Sequence, residues 1–104
     1  MQIATLPSNS QPEEVLEMVR RDGACVVENR LSEPCLSALL NETRPLVEAS
    51  NPGQDEFSGF RTRRSGALIA ASPACRDVVQ DDLALGVARG FLKPWCQRIQ
   101  LMLT

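Results

Sequence analysis

Pro12-Glu13-Glu14-Val15-Leu16-Glu17-Met18-Val19-Arg20-Arg21-Asp22-Gly23-Ala24-Cys25-Val26-Val27-Glu28 changes its period once, and that change sets the fold class. Before Gly23, Val15, Leu16 and Val19 share one helical face, with Glu13, Glu14, Glu17, Arg20 and Arg21 on the others. Acids stand early and bases late, as the helix dipole favours. Ser10 precedes Glu13 by three residues, a capping-box spacing, and Pro12 is tolerated in a first turn. Gly23 stands where a left-handed C-cap is wanted. Beyond it, Ala24 to Glu28 has the β-branched centre of a short, mostly buried strand. Helix, glycine stop and strand predict an α+β chain.

Working outward, residues 1–11 are polar and rich in Pro, Ser and Asn. They read as a loose tail, although Ile3-Ala4-Thr5-Leu6 could add a strand to something. Downstream, Ser32 is the expected N-cap of a second helix, with Pro34 in its first turn. Leu36, Leu39, Leu40, Thr43, Leu46 and Val47 follow at helical spacing. Pro45 is expected to kink or end that helix near Arg44. Ser50 to Gly59 is a loop, and Gly66 to Ala71 an extended or buried apolar segment. Ser72-Pro73 opens another helix with Cys75, Val78 and Val79 on one face. A last helix starts after Asp81 or Asp82, turns Ala84, Val87, Ala88, Phe91 and Leu92 inward, and stops at Pro94. Ile99 to Thr104 reads as a strand in need of a neighbour, so the sheet is expected to continue beyond Thr104.

Composition narrows the function. The chain has 104 residues, 43% of them hydrophobic, and a net charge of −2, which offers nothing to nucleic acid or an anionic membrane. Its four aromatics, Phe57, Phe60, Phe91 and Trp95, build no stacking platform for bases. No signal peptide or membrane-spanning stretch is legible, so a cytoplasmic location is expected. Cys25, Cys35, Cys75 and Cys96 form no C-x-x-C pair, and no histidine exists to complete a zinc site. Reduced, packed cysteines are the favoured reading.

The absent histidine also removes the commonest general base, so the chain is not expected to be a complete enzyme. Arg61, Arg63 and Arg64 could clamp a carboxylate or phosphate, since guanidinium groups bind both in bidentate fashion. A solvated loop edge, with one arginine paired to Asp55 or Glu56, is the favoured alternative. Asp81-Asp82 and Glu13-Glu14 are better dipole partners than acid–base pairs. Ser65 and Ser72 lack an activating base, and Ser72 is better used as a cap. Cys75, next to Arg76, is the best thiol nucleophile of the four, yet packing is its favoured role.

The order of these pieces resembles a known family. Pro12-Glu13-Glu14-Val15-Leu16 followed by Arg21-Asp22-Gly23-Ala24-Cys25-Val26-Val27-Glu28-Asn29 resembles the opening of the phytanoyl-CoA dioxygenase-like family of iron(II)- and 2-oxoglutarate-dependent oxygenases. Thr62-Arg63-Arg64-Ser65-Gly66-Ala67-Leu68-Ile69, then Ser72-Pro73 and Arg76, looks like its fungal branch in secondary metabolism, including alkaloid pathways. Gln100-Leu101-Met102-Leu103-Thr104 looks like the strand leading to the family's Gln-x-x-His-x-Asp stretch. The resemblance covers nearly the whole chain, and its motifs are more specific together than singly.

The resemblance implies the N-terminal portion of a double-stranded β-helix fold, incomplete here, as one partial domain over residues 1–104. It implies iron(II) and 2-oxoglutarate for the full-length protein, held by a His-x-Asp pair, a distant histidine and a late arginine. All would lie after Thr104, so this chain alone is expected to bind no cofactor. Asp81-Asp82 stands where the family often has His-Pro. Ala67, Leu68, Leu101 and Leu103 match segments that can line the family's substrate cavity, while Arg63 and Arg64 remain anion-binding candidates. The expected partner is the remainder of the oxygenase or a full-length homologue. The alternatives are a non-catalytic regulatory module that pairs with a full-length oxygenase, and an unrelated small interaction domain.

Overall fold

An 11-residue amphipathic helix needs its first amides satisfied, and Gln11 and Glu14 meet that need. The computed structural model describes residues 2–104 and places the first helix, α1, at Pro12–Asp22. The Gln11 N–H donates to the Glu14 carboxylate at 2.6 Å, so the capping pair lies one residue beyond the Ser10/Glu13 pair expected. Ser10 is instead buried, its N–H on the Pro7 carbonyl at 3.1 Å. Gly23 takes φ 83° and donates to the Val19 carbonyl at 2.8 Å, the left-handed cap its position predicts.

Ala4–Leu6 (β1), which the sequence leaves in a tail, pairs in parallel with Cys25–Val27 (β2). The register sets Ala4, Thr5 and Leu6 beside Cys25, Val26 and Val27. With α1 as the crossover this is a small β-α-β unit. The fold is therefore α+β, mostly helical, with two short parallel strands.

The second helix, α2, covers Glu33–Ala49 and runs through Pro45 instead of stopping near Arg44. Proline removes one N–H, which leaves the Asn41 carbonyl without its helical donor but does not forbid the turns on either side. The preceding turn is reinforced by the Thr43 hydroxyl, which donates to the Leu39 carbonyl at 2.7 Å. Leu68–Ala71 is a helical turn, α3, where an extended segment was expected. Ala67 explains the difference: at φ 55° its left-handed backbone turns the chain into a helix. The next helix, α4, spans Pro73–Val79, and the fully buried Ser72 caps it by accepting the Cys75 N–H at 3.1 Å. Glu42 of α2 takes the Ala74 N–H at 3.3 Å, so the α4 opening is supplied by α2.

The last helix, α5, spans Asp82–Leu92, capped by Asp81 through the Ala84 N–H at 3.0 Å. Its buried face differs from the expected one. Leu83 is buried, whereas Ala84, Phe91 and Leu92 are exposed. The inward face carries Gly86 and Gly90, where a Cβ would stand 2.8 Å from Pro12 and 2.6 Å from Leu16. One row of α1, Pro12 and Leu16, thus sits against bare backbone on α5, and the two helices run in the same direction.

The chain divides into two compact units. One joins the residues up to Ser32 with Gln80–Ile99 around Val15, Leu16 and Leu83. The other joins Glu33–Val79 with Gln100–Thr104 around Leu68, Ala74 and Cys75. The two are interleaved along the sequence, so each is built from two separate stretches.

Within the first unit, Arg30 ties distant loops together. Its guanidinium reaches Asp81 at 2.8 Å and the Ser8 carbonyl at 2.8 Å. Partial burial works to raise the Asp81 pKa, but the Arg30 hydrogen bond, the Ala84 N–H and the Arg30 charge outweigh it. The carboxyl is held below its ordinary 3.8. A depressed carboxyl stabilises the fold fully above its unfolded value, and the gain is lost as pH falls through the folded one. Stability should therefore decline below about pH 4. Denaturant titrations at pH 5 and pH 3 should show a smaller acid loss for Asp81→Asn than for the parent. An equal loss in both would remove Asp81 from the account.

Candidate functional site

The candidate residues fall on two stretches of the second unit, Arg61 to Leu68 and Leu101 to Leu103, and one bridge joins them. Ser65 and Leu103 exchange both backbone hydrogen bonds, at 2.9 and 3.1 Å, as an antiparallel bridge. This is the one ladder contact of the final stretch among the described residues, where a strand over Ile99 to Thr104 was expected. The Ser65 hydroxyl donates to the Leu46 carbonyl of α2 at 3.1 Å, so the bridge is fixed to that helix. The bridge thus joins the two segments that only the family resemblance offered as possible pocket walls.

Their side chains are not equivalent. Leu68 is 2% exposed and belongs to the core of its unit, so it lines no open surface here. The left-handed turn at Ala67 starts the helical turn in which Leu68 is enclosed, while Ala67 itself stays exposed. Leu101 and Leu103 are half-buried.

Arg63 and Arg64 are exposed, yet each spends part of its guanidinium on backbone. Arg63 donates to the Ser50 carbonyl and to the Glu48 carbonyl at 3.3 Å, just past and within the last turn of α2. Cations suit a helix C-terminus, and this helix has no basic residue in its own last turn. Arg64 donates to the Ser58 carbonyl at 2.7 Å. Neither forms an ion pair with Asp55 or Glu56 among the described residues. Asp55 is instead turned onto the Ser58 N–H, which is the main reason its pKa lies below 3.8. The arginines therefore hold the loop between α2 and α3 in shape.

No nucleophile is poised. Cys75 is 2% exposed, and the hydroxyls of Ser65 and Ser72 are committed to backbone partners. Among the described residues no three Cys, Asp or Glu side chains converge as a metal site. The sequence has no histidine, so these residues offer no two-histidine, one-carboxylate iron site.

A cleft lies elsewhere and contains none of these residues. It occupies about 610 Å³ at the end of α5, between Ala88, Arg89, Leu92, Lys93, Pro94 and Ile99. The sequence signal for it was a basic pair four residues apart, Arg89 and Lys93, with no acid between them. A second, smaller cleft of about 350 Å³ lies beside Arg30, Ser10 and Leu83.

Against family models and against curated proteins the chain finds no match. Among the described residues no helix is long and apolar enough to cross a membrane.

Proposed function

We propose that this chain is the N-terminal, helix-rich part of a phytanoyl-CoA dioxygenase-like oxygenase of the fungal secondary-metabolism branch, without catalytic activity of its own. The Ser65–Leu103 bridge supports this reading most directly. It joins Thr62 to Ile69, the segment whose sequence resembles the family most closely, to Gln100 to Thr104, the segment that would lead into the iron-binding strand. On this reading Ala67, Leu101 and Leu103 contribute to a substrate-cavity wall, with Leu68 behind it. On the same reading iron(II) and 2-oxoglutarate belong to the full-length protein, whose His-x-Asp pair would lie after Thr104. Arg63 and Arg64 shape the loop beside that wall.

The transcript decides the matter. Sequencing past the Thr104 codon should show an in-frame Gln-x-x-His-x-Asp. The isolated 104-residue chain, given iron(II) and 2-oxoglutarate, should release no succinate above a protein-free control. Succinate release by the chain itself would refute the proposal, as would downstream sequence encoding an unrelated domain.

A second reading, a non-catalytic module pairing with a full-length oxygenase, draws on the exposed apolar side chains Val26, Leu36, Leu40 and Phe57. Co-purification with a complete oxygenase would favour it over the first.

A further inference from the structure

The end of α5 carries more positive charge than its helix needs. Arg89 and Lys93 stand four residues apart, so their side chains leave from neighbouring positions on one face. Like charges so placed repel, and neither has an ion-pair partner among the described residues. The acids of this helix, Asp81 and Asp82, lie at its opposite end, roughly 10–18 Å away by the rise per residue.

Two of the last carbonyls of α5 already have backbone donors. The Arg89 carbonyl already accepts the Lys93 N–H at 3.1 Å, and the Leu92 carbonyl accepts those of Trp95 and Cys96 at 3.0 Å each. Because α1 runs in the same direction, its own basic end, Arg20 and Arg21, lies toward the same end. Arg89 and Lys93 both line the cleft of about 610 Å³, whose other walls, Gln97 apart, are apolar: Ala88, Leu92, Pro94, Cys96 and Ile99. That volume lies within the roughly 300–1,000 Å³ usual for small-molecule sites.

We propose that this groove binds a linear alkyl carboxylate. The head group sits between Arg89 and Lys93, where a guanidinium fork and an ammonium can serve both oxygens, and the chain lies along Leu92, Pro94 and Ile99. The inference does not rest on the oxygenase reading, since all of its residues lie outside the segments that carry the family's pocket.

The chain supplies its own reporter. Trp95 is the single tryptophan, stands between the lining residues Pro94 and Cys96, and is 84% exposed. Titrating the 104-residue chain with decanoate, below its micelle concentration, should give a saturable blue shift of Trp95 emission. Acetate at equal concentration should leave the emission unmoved, and decanol should bind about tenfold more weakly than decanoate. The double variant Arg89→Gln/Lys93→Gln should weaken decanoate binding about tenfold and leave decanol unchanged, with helix content by circular dichroism preserved. Equal binding of decanol and decanoate would overturn the proposal, as would a shift that never saturates. Undiminished decanoate binding by the double variant would do the same.

Discussion

Gly90→Val should destabilise the fold by about 1–3 kcal/mol, the usual cost of forcing extra atoms into a packed contact. The reason lies in the α1–α5 contact. A Cβ at Gly90 would stand 2.6 Å from Leu16 Cδ1, and Leu16 is buried, so its side chain must repack against its neighbours to make room. One turn earlier, a Cβ at Gly86 meets the rigid ring of Pro12 at 2.8 Å. On propensity alone the substitution should help, since glycine costs a helix interior about 1 kcal/mol relative to alanine. The predicted loss is thus opposite in sign to what helix propensity gives. Urea denaturation should show a lower midpoint for Gly90→Val. Combining it with Leu16→Ala should cost less than the sum of the two single variants, because the smaller side chain removes the clash. A Gly90→Val protein as stable as the parent would mean that α1 and α5 do not pack this closely.

Leu68→Ala should be costlier still, by about 2–5 kcal/mol. Leu68 is 2% exposed and shares the core of its unit with Ala74 and the equally buried Cys75. Natural domains of this length hold only about 5–15 kcal/mol in all, and this chain leaves Leu36, Leu40, Phe57 and Trp95 among its exposed apolar side chains. The variant should therefore unfold in large part at 37 °C and bind a hydrophobic dye that the parent binds more weakly. A loss below about 1 kcal/mol would show that the site collapses freely around the missing atoms and is not a tight core.

Local chemistry was legible in the sequence and longer-range pairing was not. Gly23, Ser72 and Asp81 act as the caps their types predict, and α5 ends at Leu92, short of Pro94. Each of those signals works within one helical turn. Pro45 misled because a proline costs one hydrogen bond, which a 17-residue helix can lose without ending. The face of α5 was misjudged because large apolar residues count as inward by default, whereas the contact is built on Gly86 and Gly90, which carry no side chain to count. The pairing of β1 with β2 could not be read from three residues whose partner lies beyond a whole helix.

The candidate site divides in the same way. Sequence picked out the two stretches that Ser65 and Leu103 join, but not that Leu68 faces a core or that Arg63 and Arg64 bind backbone carbonyls. The burial of Leu68 depends on the turn at Ala67, where a non-glycine residue adopts a left-handed backbone without a sequence cue. The Arg89–Lys93 groove shows the converse. Its basic pair was passed over in the sequence, because only the fold supplies the apolar walls beside it.

The interleaving of the two units has a consequence for how the protein is made. One unit waits for Ile99 and the other for the stretch ending at Thr104, although both begin in the first third of the chain. A nascent chain leaving the ribosome at roughly 5–20 residues per second therefore exposes α1, β2 and α2 for seconds before either core can close. Early synthesis offers only the small β1–α1–β2 piece as a local nucleus. In the cell, this order of events leaves α1, β2 and α2 open to chaperones and proteases until the residues up to Thr104 have emerged.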